Sequence, residues 1–196
     1  MRYSLQVTDK MSYSFILAFV PALVFFTRFL MEYTGCDYYH PACRWIVKVT
    51  DPPVRLIPLK KVMNLNISAL IVMLVAAEIF GGGFVYWSMT GFRVFSFDLI
   101  WRLMLLVPVL LIWAGLQYMF YMMIIGAIMS WIPAPSLTPW KYLFNKLTSP
   151  VTEPFERFIP PIGFFSVAFI VAFLLMSFVV FTVMPRVTSY AMQLIF

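Results

Sequence analysis

Two stretches of this chain repeat one another. Laid together at an offset of roughly 98 positions, Cys36 to Ser68 and Ala134 to Ser166 bring Pro41 onto Pro139, Lys48 onto Lys146, Thr50 onto Thr148, Pro52 onto Pro150 and Ser68 onto Ser166. So many identities in a single register point to duplication. The blocks read PACRWIVKVTDP and TPWKYLFNKLTSP, and each is followed by a second proline-and-charge cluster, PLKKV from Pro58 and PFERFIP from Pro154. These clusters align at an offset of about 96, as expected if the first copy gained residues between Pro52 and Pro58. A fold for this chain must accommodate one unit twice.

The unit is built for a bilayer. Hydrophobic residues make up 63% of the chain and charged residues 11%, with a mean hydropathy of +0.92. That balance excludes a soluble domain. Apolar stretches near the roughly 20 residues that cross a membrane run over about 11–33, 65–87, 103–132 and 164–184. The predicted fold class is an all-α integral membrane protein. Its four transmembrane helices form two parallel two-helix repeats, 1–92 and 93–196, each with an interfacial amphipathic hairpin between its helices. The third stretch is longer than a span requires, at ~45 Å of helix against a hydrocarbon core of ~30 Å. Either Pro108 kinks one helix, or the part before it lies in the interface and the chain has five segments. The first stretch reads as an anchor rather than a signal peptide, because Tyr13 to Met31 is too long for a signal core and contains Arg28.

Basic residues set the expected orientation. The loops after the first and third spans hold Arg44, Lys48, Arg55, Lys60, Lys61, Lys141, Lys146 and Arg157, against Arg2, Lys10, Arg93, Arg102 and Arg186 on the other side. The excess places both repeat loops in the cytoplasm, where Cys36 and Cys43 are thiols. With two spans per copy, both copies cross in the same direction, whichever that is.

In those loops bulky and basic side chains alternate. Trp45, Ile46, Val47 and Val49 stand among Arg44 and Lys48, and Trp140, Tyr142, Leu143, Phe144 and Leu147 among Lys141 and Lys146. The pattern predicts short amphipathic helices in the headgroup plane, with lysines snorkelling and aromatic rings at the interface. The prolines that follow are expected to stop each helix and stiffen the return to the next span. Arg44, Trp45, Lys48, Lys60, Lys61, Trp140, Lys141, Lys146 and Arg157 are thus the candidate contacts to anionic lipid, worth roughly 1 kcal/mol per basic residue, or to a partner protein.

Ionisable residues inside spans are costly and mark candidate function. Arg28 and Glu32 lie one turn apart near the end of the first span and can pair along one face. Glu78 lies deep in the second span, where it is protonated, pairs with a donor such as Gln117, or lines a polar path. The second copy has Met176 at the matching position, which argues against a symmetric ion path. Cys36, Asp37, His40 and Cys43 form a C-x3-H-x2-C cluster, but a fourth Cys or His and a counterpart in the second copy are missing, so no metal site is predicted. His40 is the only histidine, so the chain cannot supply two histidine ligands to a haem. No phosphate loop, dinucleotide fingerprint or hydrolase motif occurs. Gly81, Gly82 and Gly83 suit close helix packing. The sequence predicts no enzyme, no cofactor and no nucleic-acid partner, and Gly115 and Gly126 offer close packing for a homo-oligomer.

In their order, these residues resemble the YggT family of small bacterial inner-membrane proteins, related to the YlmG proteins of other bacteria and plastids. The resemblance rests on Arg28, CDYYHP from Cys36, IVKVTDP from Ile46 and PLKKV from Pro58, then on AIMSWIP from Ala127 and LTSPVTEPFERFIPPIG from Leu147. It covers about Val20 to Met176. The family's basic pair is Lys60 and Lys61 in the first copy but Glu156 and Arg157 in the second. Its Gly-Asp-Ser lead into the next helix is here Asn66, Ile67, Ser68 and Phe164, Phe165, Ser166. The resemblance implies a bacterial inner-membrane protein linked to osmotic stress tolerance, potassium homeostasis or membrane organisation and division. For plastid relatives it implies assembly of a cytochrome complex.

Overall fold

The computed structural model describes residues 2–36, 40–57, 66–91, 97–159 and 166–195, with side chains from residue 17 onward except that of Ala42. Lys60, Lys61 and Asp37 lie outside the described residues. The described chain is helical throughout: α1 (Arg2–Tyr33), α2 (Pro41–Arg55), α3 (Ile67–Thr90), α4 (Phe97–Trp131), α5 (Thr138–Glu156) and α6 (Val167–Ile195). Three of them, α3, α4 and α6, are long and apolar enough to cross a membrane.

α4 is one continuous helix of 35 residues that passes through Pro108. The segment before the proline therefore extends the span rather than forming a fifth element. α1 likewise runs through Pro21. An interior proline forfeits one backbone hydrogen bond, a loss that helices packed in a membrane can make good from their neighbours.

The surface helices also run through their prolines. α2 contains Pro52 and Pro53, and α5 contains Pro150 and Pro154, contrary to the expectation that these residues end the helix. Packing explains the difference. Cys43, Thr50 and Val54 of α2, and Leu143, Leu147, Thr148 and Thr152 of α5, are buried along one stripe of each helix. Ending the helix at the first proline would take Val54 or Thr152 off that stripe, while the carbonyls that proline frees lie near the surface, where water can bond them.

Caps open the second helix of each half. The Asn66 side chain accepts from the Ala69 amide and the Ser166 side chain from the Phe169 amide, each at 3.2 Å. The structural counterpart of Ser166 is thus Asn66. Ser68, paired with Ser166 in the sequence register, lies inside α3 and donates to the Ile57 carbonyl at 2.5 Å. Both helices widen into a π turn, at Ala77–Gly82 in α3 and Val179–Val183 in α6. Trp113 of α4 donates its indole N–H to the Val180 carbonyl inside the second of these turns, at 3.2 Å. Such wide turns leave carbonyls in need of an outside donor.

Two buried clusters hold the bundle. One joins Phe19, Ala22 and Leu23 of α1 to Ala76, Ala77 and Val85 of α3 and Leu106, Val107 and Leu110 of α4. The other joins Leu30 and Met31 of α1 to Cys43 of α2, Met123 of α4, Leu143 and Leu147 of α5 and Ala172 and Met176 of α6. Glycines allow the closest approaches: a Cβ on Gly81 would collide with the Phe19 ring, and one on Gly126 would lie 3.5 Å from Phe144 Cβ. Gly115 faces the Phe26 ring. Gly115 and Gly126 are therefore packed within the chain.

Candidate functional site

A charged cluster lies where α1, α2 and α3 meet. Arg28, 8% exposed, donates from Nε to Glu32 Oε1 at 3.1 Å and from Nη1 to Thr50 Oγ1 at 2.9 Å. The same Nη1 lies 2.8 Å from Asp51 Oδ1. Both Glu32 carboxylate oxygens also accept from the Asn66 side-chain amide, at 3.1 and 3.0 Å. The predicted Arg28–Glu32 pair thus exists, and it is buried, with α2 reaching it through Thr50 and Asp51. The hydrogen bond from Arg28 holds the Asp51 carboxyl below the usual carboxylate range; burial opposes this, and the positive charges of Arg28 and Arg55 add to the lowering. Asp51 also pairs with Arg55, four residues on.

The second half has small residues in these places. At the offset of roughly 98 positions, Arg28 corresponds to Gly126, Glu32 to Ser130, Thr50 to Thr148 and Asp51 to Ser149. The contacts follow the same map: Arg28 reaches Val47 and Thr50, while Gly126 lies against Phe144 and Asn145, the counterparts of Ile46 and Val47. Thr50 and Thr148 are both buried, and each donates to the carbonyl four residues back, at 2.7 and 2.9 Å. Asp51 as a partner of Arg28, and Asn66 as a partner of Glu32, were missed in the sequence. The available signal was that three positions are charged in one copy and small in the other.

The outer faces of α2 and α5 carry most of the predicted surface residues. Arg44, Trp45 and Lys48 are exposed on α2, and Trp140 and Tyr142 on α5. Lys141 is committed elsewhere, since its ammonium caps the end of α4 by donating to the Ile132 carbonyl at 2.7 Å. Lys146 is half-buried and Arg157 exposed. His40 packs edge-on against Trp140, ring centroids 4.7 Å apart, where α2 begins.

Glu78 lies in the π turn of α3, roughly 17 Å from either end of that helix at ~1.5 Å per residue. It borders an otherwise apolar groove of about 470 Å³ formed with Ile79, Gly82, Tyr86, Leu103 and Met104. Gln117 does not join it. Val107 of α4 packs near the same turn, and Gln117 is ten residues further on, roughly 15 Å along the helix. Counting from the caps Asn66 and Ser166, the position matching Glu78 is Phe178, which is exposed.

Cys36 and Cys43 are buried free thiols with sulfurs 3.7 Å apart. Among the described residues, no group of three Cys, His, Asp or Glu side chains converges to hold a metal ion.

Comparison with known proteins places this sequence in a recognisable group. A family model described as CCB3/YggT matches residues 97–186. An uncharacterized protein of Haemophilus influenzae is 31% identical over 146 residues, covering 72% of this chain and 73% of that protein. The uncharacterized protein YggT of Escherichia coli K12 is 30% identical over 146 residues, covering 72% and 71%. An uncharacterized protein of Vibrio alginolyticus is 28% identical over 160 residues, covering 80% and 83%. No solved structure matches.

Proposed function

The chain belongs to the CCB3/YggT family, and we propose that it is a non-enzymatic scaffold of the bacterial inner membrane. In this reading α1, α3, α4 and α6 are four spans in two parallel copies, and α2 and α5 are paired platforms on the cytoplasmic surface. The observation that carries it is the division of labour within α2. Its inner face is locked by Thr50, Val54 and the Arg28–Asp51 contact, while Arg44, Trp45 and Lys48 project outward. A helix held so firmly on one side can present the other without the entropic cost of ordering it on contact. The outward face is basic and aromatic, and it suits an acidic surface on a membrane-associated partner, with anionic headgroups around it.

The reading is tested by neutralising Arg44, Lys48, Lys60 and Lys61 together. Partner binding is lost while insertion and folding persist. Loss of insertion in the same variant contradicts a dedicated binding face, since the residues would then be structural.

Glu78 supports a second reading, a small ion channel or a modulator of one acting in osmotic or potassium homeostasis. A carboxyl group near the middle of a span has a high cost in lipid, and no contact in the described chain accounts for it. Flux through reconstituted vesicles that changes on Glu78→Gln favours this reading; vesicles with the unaltered chain that pass no ions exclude a channel.

A further inference from the structure

The face of α5 turned toward the end of α1 carries a polar cavity. Lys146, Ser149, Glu153 and Arg157 recur at helical spacing and, with Tyr33 at the end of α1 and Thr34 just after it, line a cavity of about 410 Å³. That volume falls within the roughly 300–1,000 Å³ of small-ligand sites. Among the described residues, Lys146, Glu153 and Arg157 face the cavity without an ion pair or side-chain hydrogen bond to the rest of the chain. Glu153 and Arg157 are exposed and Lys146 half-buried, and charges of both signs lining one cavity suit a ligand that itself carries both signs.

The position indicates the source of that ligand. Tyr33, Trp140 and Tyr142 are exposed around this end of the bundle, as aromatic side chains are at the headgroup level of a membrane. A purely anionic headgroup would be drawn to Lys146 and Arg157 but repelled by the Glu153 carboxylate between them. A phosphate bearing a primary ammonium satisfies both. Resting on the placement of α5 in the headgroup layer, we infer that this cavity binds one phospholipid with a phosphoethanolamine headgroup. The phosphate lies toward Lys146 and the Ser149 hydroxyl, the ammonium donates to Glu153, and Arg157 closes the far end. Charge-assisted bonds of this kind are the stronger class of hydrogen bond.

The test is native mass spectrometry of the full chain, delipidated in mild detergent and given phosphatidylethanolamine, phosphatidylglycerol or soluble phosphoethanolamine. The expected result is one phosphatidylethanolamine per chain, bound in preference to phosphatidylglycerol. Lys146→Gln weakens it on the order of tenfold, about 1.4 kcal/mol, Lys146→Arg retains it, and Glu153→Gln removes the preference between the two lipids. Equal binding of both lipids by the unaltered chain, or unchanged binding in Lys146→Gln and Glu153→Gln, overturns the site. Soluble phosphoethanolamine binding as tightly as the lipid overturns its assignment to a lipid. Because the scaffold reading is measured on Arg44 and Lys48 of α2, partner binding that survives their neutralisation, with the headgroup still bound, breaks that reading alone.

Discussion

Arg28 of α1 meets Asp51 of α2 at 2.8 Å, and this contact fastens the first surface helix to the bundle. The second half, with Gly126 and Ser149 in the matching places, fastens its surface helix by close packing instead. Two solutions to one geometric problem, one ionic and one steric, therefore stand in the same chain.

The comparison predicts a non-additive mutant series. Arg28→Gly alone leaves the buried Glu32 carboxylate without its cation, while Asp51 keeps Arg55, and costs up to about 3–5 kcal/mol, the penalty for breaking a buried pair from one side. Replacing the whole set by its second-half counterparts, Arg28→Gly with Glu32→Ser and Asp51→Ser, removes the stranded charge and costs less than the single change. Unfolding midpoints of the two variants in the same detergent check this.

Acid weakens the latch before it weakens the apolar core. Asp51 has its carboxyl lowered from the ordinary 3.8, chiefly by the hydrogen bond from Arg28. A lowered folded value means that the stabilisation is fully present above 3.8 and disappears as pH falls through that lower value. Stability followed downward from pH 5 should decline in the unaltered chain, and Asp51→Asn should flatten that part of the curve from a lower starting point.

Much of this was legible in the sequence. Apolar length located α3, α4 and α6, and the alternation of bulky and basic side chains located α2 and α5, because both signals depend on composition and spacing that local physics cannot easily override. The proline reading failed for the opposite reason: Pro52, Pro53, Pro150 and Pro154 carry a local cost that a buried stripe, visible only in three dimensions, outweighs. That error also hid the cavity at Lys146, Glu153 and Arg157, since a helix broken at Pro150 does not align those residues on one face. The depth of Glu78 was legible; its neighbours were not, because the register between α3 and α4 depends on how Gly82 and Val107 pack.

Gly81 supplies a packing prediction. Any side chain there meets the Phe19 ring, so Gly81→Leu should lower stability by about 1–3 kcal/mol through overpacking, and Phe19→Ala in the same chain should return part of the loss. Paired unfolding measurements read out the coupling.

Glu78 can be addressed chemically. A carboxyl in an apolar groove near mid-span should react with a lipid-soluble carbodiimide, which modifies protonated acids, and Glu78→Gln should abolish the labelling without altering the unfolding midpoint. Labelling that persists in the variant would place the reactive acid elsewhere.

The proposed scaffold role makes the outer face of α2 a binding face. A photo-crosslinking residue placed at position 45, where Trp45 is 62% exposed, tests this in intact cells. A binding face gives a discrete protein adduct of one size that disappears when Arg44 and Lys48 are neutralised. Adducts to lipid alone, or a protein adduct indifferent to those charges, would contradict it.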